Sequence, residues 1–562
     1  MGHWKIYRNI LLVVLTVLCF LSGSSIASIL TTKHNLSTSG PGTITAAGED
    51  RVCIFCHTPH HATSVTPLWN RQLSGAIYNL LYSSSTLVAE PGQPTGASRL
   101  CLSCHDGTIA IGMLEGMTEP IPLTGGITSM PGGLSNLETD LSDDHPISFA
   151  YTSALATQRG ELKDPQTLPA EVDLEDGLML QCTSCHDPHK DLHGKFLVMS
   201  NLNSALCVAC HDKTGWTTST HATEASTAEN GCQNCHQPHG APGAKHLLQS
   251  ATEEGTCLTN CHNGTGDGIN IQSPSDQFYN HPMNYATGVH DITENPLTMD
   301  EHVECADCHN PHQVSNQGAP LDSPPSVNGR LTGVKGISIS GAVLGQANNE
   351  YEVCFGCHAD NAFFSSFVVP RKISETNERL RFDPSNPSFH PVAAFGKNSN
   401  VPSLRPEYNE SSKIYCTDCH GSDSSVKAGS IGADGPHGSI YPHILIARYE
   451  QDTYPLTYNV ANYALCFRCH DPLIFLNQSS VSGTNFSKGQ KNVHYTHVVQ
   501  WAQPCSICHD PHGVPAVLGA TTTHNAHLIN FDSRFVNPVT AVYDSVARTC
   551  SVSCHNQNPK SY

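Results

Sequence analysis

Residues 182–189 read Cys182-Thr183-Ser184-Cys185-His186-Asp187-Pro188-His189. Two thiols at this spacing can bond the two vinyl groups on one side of a haem, and the next histidine then lies under the iron as its axial ligand. Ten copies of Cys-x-x-Cys-His run along the chain: Cys53-Cys56-His57, Cys101-Cys104-His105, Cys182-Cys185-His186, Cys207-Cys210-His211, Cys232-Cys235-His236, Cys305-Cys308-His309, Cys354-Cys357-His358, Cys416-Cys419-His420, Cys466-Cys469-His470 and Cys505-Cys508-His509. Two longer copies, Cys257-Cys261-His262 and Cys550-Cys554-His555, carry one extra residue, and the twelve together use 24 of the 25 cysteines. Zinc sites need four protein ligands and ask for no histidine after every second cysteine. Disulfides in an exported protein need only paired cysteines. The pattern predicts twelve covalently attached haem c groups.

The remaining cysteine, Cys19, lies in a leader with Lys5 and Arg8, an apolar run from Ile10 to Leu21, and small residues ending at Ser25-Ile26-Ala27. The run is short for a bilayer span, and the small-x-small ending reads as a cleavage site, so residues 1–27 are expected to be a signal peptide. No later segment is apolar enough to cross a membrane. The mature chain is expected to be exported, to the periplasm, the outer cell surface or the exterior.

Only 38% of residues are hydrophobic, while 44 Gly and 36 Pro are present. That mixture alone would suggest loops or disorder. Here the haems supply the missing apolar bulk, and their covalent attachment restricts the unfolded chain as other crosslinks do. The expected fold is mostly coil with short α-helices and little β, a quasi-linear array of haem-pair repeats. The motifs fall into six pairs, with first cysteines 48, 25, 25, 49, 50 and 45 residues apart. The expected segments are 28–125, 126–214, 215–265, 266–370, 371–480 and 481–562, one pair in each.

A haem iron held by its motif histidine has a sixth position to fill. The chain after residue 27 has seven methionines for twelve haems, and none recurs in register with the motifs. Histidines do recur. The first motif of a pair usually continues into x-Pro-His, giving His60, His189, His239, His312 and His512, and the fifth pair delays this element to His437. A second set precedes the pairs: His34, then His145, His281 and His390, each followed by Pro, with His221 and His497 in similar places. Six and six match the haem count. A histidine three residues past its motif is too close to reach over its own haem, so it should bind a neighbouring one. His61, His246, His290, His302, His443, His494 and His524 compete for the same roles.

These elements resemble the doubled Cys-x-x-Cys-His family of multihaem c-type cytochromes found in metal-reducing bacteria. The resemblance rests on the Cys-His-x-Pro-His elements, the His-Pro segments at His145, His281 and His390, and Gly435-Pro436-His437-Gly438-Ser439. It covers most of the chain after residue 27. It implies bis-histidine, low-spin haems stacked in parallel and T-shaped pairs, and some relatives assemble into extracellular filaments. The two longer motifs and the insertion before His437 depart from the pattern and leave the haem packing there open.

Haems at this density imply an electron carrier rather than an enzyme, because electron tunnelling falls steeply with distance. The rival is a multihaem oxidoreductase acting on a small inorganic substrate such as nitrite, which would keep an iron open. Without residues 1–27 the chain has 27 basic and 49 acidic residues, a net of −22. Nucleic acid is a poor partner for such a chain. Basic redox proteins such as other cytochromes, cationic metal species, mineral surfaces and further copies of the chain are the expected partners. No P-loop, Rossmann fingerprint or His-Glu-x-x-His motif occurs. Chain produced without haem is expected to show no cooperative unfolding transition by circular dichroism. A well-folded apo-protein would contradict the claim that haem replaces the core.

Overall fold

The attachment motif needs only one turn of helix, and one turn is what most of the chain's helices supply. In the computed structural model, which describes residues 29–60, 68–266, 268–283, 290–316, 323–361, 363, 369–475, 477–555 and 558–562, the chain is 25% helical and 11% strand. Coil dominates because Gly, Pro and short polar residues interrupt every run before a longer element can form. The predicted leader lies outside the described residues.

Helices Cys182–Cys185 and Cys305–Cys308 span their cysteines and nothing more, and 3₁₀ turns do the same at Cys53–Phe55, Cys416–Asp418, Cys466–Arg468 and Cys505–Ile507. In each, the motif histidine's N–H closes onto the first cysteine's carbonyl, as from His186 to Cys182 and from His509 to Cys505 (2.9 Å each). This i to i−4 bond puts both sulfurs and the imidazole on one side of a single turn. The longer motif at 257–262 keeps the same closure by widening it, with His262 N–H bonded to the Cys257 carbonyl at 3.1 Å, an i to i−5 turn. The longer motif at 550–555 is built differently. Cys550 sits in the strand Thr549–Ser551, which pairs antiparallel with Val542–Asp544 and Lys560–Ser561, and His555 follows in a 3₁₀ turn.

The other sheets are two-residue pairings, and several join sequence-distant segments. Tyr279–Asn280 pairs with Gly438–Ser439, placing His281 beside His437, and Ser388–Phe389 pairs with Gly513–Val514, placing His390 beside His512. Apolar clusters are small and take in motif cysteines. Phe55, Ile111, Leu114 and Leu123 pack with Cys56, and Tyr463, Phe467, Phe475 and Val498 pack with Cys466 and Cys505.

The chain forms two compact units. One comprises Met1–Lys213 and Glu229–Leu247, the other Thr214–Ala228 and Leu248–Tyr562. The division runs through 215–265, the segment expected to hold the third pair. No disulfide joins the 24 motif cysteines. Among the described residues no helix is long and apolar enough to cross a membrane.

Candidate haem-binding sites

Each motif turn aims an imidazole outward, and within the two compact units ten of these imidazoles have a second one facing them across a gap. His105 faces His34, His186 faces His239, His211 faces His145, His262 faces His221, His358 faces His281 and His309 faces His437, all with ring centres 6.2 Å apart. His57 faces His189 and His555 faces His497 at 6.0 Å, His420 faces His512 at 5.8 Å, and His509 faces His494 at 6.3 Å. Two imidazoles on opposite sides of one metal ion stand about 6.2 Å apart, given a bond of about 2.0 Å and a ring centre roughly 1.1 Å beyond the nitrogen. These gaps fit a haem iron.

Hydrogen bonds orient the rings. The Nδ1–H of His105 donates to the Ser135 carbonyl (2.6 Å), that of His186 to Lys195 (2.8 Å), that of His309 to Arg330 (2.9 Å) and that of His420 to His443 (2.8 Å). Each fixes the tautomer and leaves Nε2 as a metal ligand. The acceptor loops repeat a strained form. Lys195-Phe196, His246-Leu247, His443-Ile444 and His527-Leu528 all have two successive positive φ angles, between 52° and 62°. The first carbonyl of each takes the Nδ1–H of His186, His236, His420 or His509, and the second takes the backbone N–H just after that histidine. Such non-glycine positions cost about 1–3 kcal/mol each and persist where the surroundings hold them.

The facing histidines are docked to one another. The Nδ1–H of His34 donates to the Pro188 carbonyl (3.0 Å), that of His221 to Pro311 (2.9 Å) and that of His390 to Pro511. The backbone N–H of His145 bonds Pro238 (2.8 Å), and His281 bonds Pro436. Five of the six upstream histidines are thus tied to the Pro-His element of the next pair, while His497 bonds the Val493 carbonyl (2.9 Å). The order that results is regular. The Pro-His histidine after the third, fifth, ninth and eleventh motifs faces the histidine two motifs back, whereas the upstream histidine faces the second motif of its own pair.

Three Pro-His histidines contact carboxylates instead of carbonyls, the loosest being His189, whose Nδ1 lies 3.5 Å from Asp187 Oδ1. His239 Nδ1 donates to Asp144 Oδ1 at 3.0 Å, and His512 Nδ1 lies 2.9 Å from Glu378 Oε2 in a bent contact. Glu378 is held down to about 2: burial works against its charge, but Arg381 and His512 outweigh burial. For the facing imidazoles the direction is the reverse. Burial, and next the opposite ring, lowers His211 and His437 to about 3 and His281 and His420 to about 4. The same two causes lower His470 to about 4, with His390 as the neighbouring ring. Neutral imidazole is the ligating form.

His60 stands at none of these gaps. Among the described residues no ring faces His60, whose carbonyl takes a hydrogen bond from Thr58 Oγ1. His494 stands opposite His509 in its place. His312 lies against Trp216 with ring centres 6.3 Å apart, and His236 donates to the His246 carbonyl (2.7 Å). His246 and His443 act through their carbonyls, His524 donates to the Tyr543 carbonyl (2.7 Å), and His61 lies outside the described residues. His494 was legible as His494-Tyr495-Thr496-His497, a spacing that puts both rings on one face of a turn. These four acceptor loops leave a fainter trace, the bulky apolar pairs Phe196-Leu197, Leu247-Leu248, Ile444-Leu445 and Leu528-Ile529.

Successive motifs touch in chain order. The sulfurs of Cys101 and Cys182, of Cys207 and Cys232, and of Cys354 and Cys416 share hydrogen bonds. Cys56 and Cys104, Cys185 and Cys210, Cys308 and Cys354, Cys419 and Cys469, Cys466 and Cys505, and Cys508 and Cys550 lie close enough to influence one another's charge. Helix Glu253–Leu258, which carries Cys257, reaches the seventh motif through Glu253, which accepts the Ala306 N–H at 2.6 Å. Within one unit the first five motifs are therefore neighbours in order, and within the other the sixth to twelfth are.

Residues 177–215 match the family model described as the doubled CXXCH motif. No curated protein matches the chain.

Two outcomes follow for variants of the holoprotein. His494→Ala yields one high-spin haem by electron paramagnetic resonance, while His60→Ala leaves the spectrum unchanged; the opposite result would overturn the pairing. Asp144→Asn weakens electron donation through His239 and moves one haem to a more positive potential in a spectroelectrochemical titration, with haem content unchanged.

Proposed function

Because this chain is a multihaem c-type cytochrome that carries the doubled CXXCH motif, we propose that it is a twelve-haem electron conduit, exported and working in periplasmic or extracellular respiration. The observation that carries this reading is the set of facing histidines, ten gaps of 5.8–6.3 Å, each with one motif histidine on one side. A haem in each gap would have both axial positions filled by imidazole. Bound haem supplies one-electron chemistry; the chain supplies ligation, orientation and spacing. Two imidazoles keep the same coordination in both oxidation states and give lower potentials than a histidine–methionine pair.

The motif order supports a path that follows the sequence within each unit, so an electron entering at one motif has a neighbour at the next. Filled axial positions weigh against the alternative, an oxidoreductase acting on nitrite or a similar substrate, which needs an open iron. The acidic surface favours basic redox proteins, cationic metal species or mineral surfaces as partners. His494 completes the last pair from within the chain.

Native holoprotein mixed with nitrite or cyanide is expected to show no stoichiometric shift in its Soret band, and a dithionite reduction followed by an Fe(III) pulse is expected to reoxidise all the haems. One haem that binds either ligand stoichiometrically would favour the enzyme.

A further inference from the structure

One cluster of histidines and carboxylates belongs to none of the haem gaps. His290, His302 and Asp307 bring their ligand atoms within 4.8 Å of one another. His290 Nδ1 lies 3.3 Å from Asp307 Oδ1, and His302 Nε2 lies 3.1 Å from Glu294 Oε2 and 3.8 Å from Asp307 Oδ1. Glu304 Oε2 is 3.8 Å from His290 Nδ1. The side chains of His290, Asp307 and Glu304 are only 13%, 11% and 7% exposed.

These atoms do not satisfy one another. His290 Nδ1, His302 Nε2 and Glu294 Oε2 are buried and make no well-aligned hydrogen bond despite the short separations. The outer bonds are made. His302 Nδ1–H donates to the Asp300 carbonyl (2.8 Å), which leaves a lone pair on Nε2 facing two carboxylates. Asp307 Oδ2 accepts the Glu304 N–H (2.7 Å), which turns Oδ1 inward. Lys335 reaches this segment but donates to the Glu294 backbone carbonyl (2.9 Å), not to a carboxylate. Several carboxylates gathered away from water are costly without a cation among them. Burial opposes charge on His290, Asp307 raises its pKa above the ordinary value, and a metal ion would take the place of that proton.

We propose that His290, His302, Asp307 and Glu294 bind one divalent first-row transition-metal ion of the zinc class. The donor set is two imidazoles and two carboxylates, which suits such ions, whereas calcium and magnesium take oxygen ligands. The shortest separations, 3.1 and 3.3 Å, approach the edges of a tetrahedron with metal–ligand bonds of about 2.0–2.1 Å. The 3.8 Å from His302 to Asp307 and the 6.5 Å between the two ring centres are wider, so an ion would draw the two imidazoles together. The second shell is present in the Asp300 carbonyl and the Glu304 N–H. Asp307 lies between Cys305 and Cys308, so the ion would fasten the 290–302 segment to the seventh attachment turn. This inference is independent of the conduit reading.

The test is zinc binding by holoprotein stripped with a chelator and exchanged into metal-free buffer. Calorimetric titration with zinc chloride, and metal counting by mass spectrometry after desalting, should give one retained zinc per chain that excess calcium or magnesium does not displace. His302→Ala and Glu294→Gln should each weaken it by at least about tenfold with haem content unchanged. Glu294 lies well outside the attachment motif, so its variant serves even if His302→Ala matures poorly. Absence of a retained zinc, displacement by calcium, or wild-type affinity in Glu294→Gln would overturn the proposal.

Discussion

Two imidazoles held apart at the width of a metal ion and its two bonds are the constraint on which the other features depend. The attachment turns set one ring of each gap, and at His186, His420 and His509 a loop with successive positive φ angles holds that ring by its Nδ1–H. Proline carbonyls hold the opposite ring, as Pro188 does for His34 and Pro311 for His221. The hydrogen bonds are made on the side of the ring away from the gap, which leaves Nε2 to the iron. The docking of an upstream histidine onto the Pro-His element of the following pair means that a repeat is completed by its successor. Order passes along a coil-rich chain in this way, although its apolar clusters are only a few residues each.

Much of the attachment chemistry was legible because it is local. A cysteine pair and its histidine lie within five or six residues, and one turn of helix closes over them whatever follows. The facing histidines are a long-range matter. His189 stands opposite His57 and His437 opposite His309, separations that residue spacing alone does not encode. Sequence suggested that a Pro-His histidine serves a neighbouring haem; the structure sets it against the motif two places back. His60 follows the first motif given, so that register sets it against none of the twelve. Opposite the eleventh motif stands His494, one turn from His497. An equal count of haems and candidate histidines hid this exchange of one for another. The acceptor loops were less visible still, because they contribute carbonyls and any residue has one.

The same geometry separates haems that would otherwise be alike. Several facing histidines, such as His34 and His221, donate to backbone carbonyls, but His239 and His512 meet Asp144 and Glu378. A carboxylate partner makes an imidazole a stronger donor to iron. The chain thus has a means of setting potentials along a path whose spacing is fixed by its motifs. The Arg381, Asp510 and Glu378 network behind His512 keeps that carboxylate charged although it is buried.

The most direct measurement is an experimental map of the native holoprotein that resolves each axial ligand. The account predicts two histidines on every iron, with His34 opposite His105, His189 opposite His57, His437 opposite His309, His494 opposite His509 and His60 on none. Water, methionine or His60 bound to an iron would contradict it.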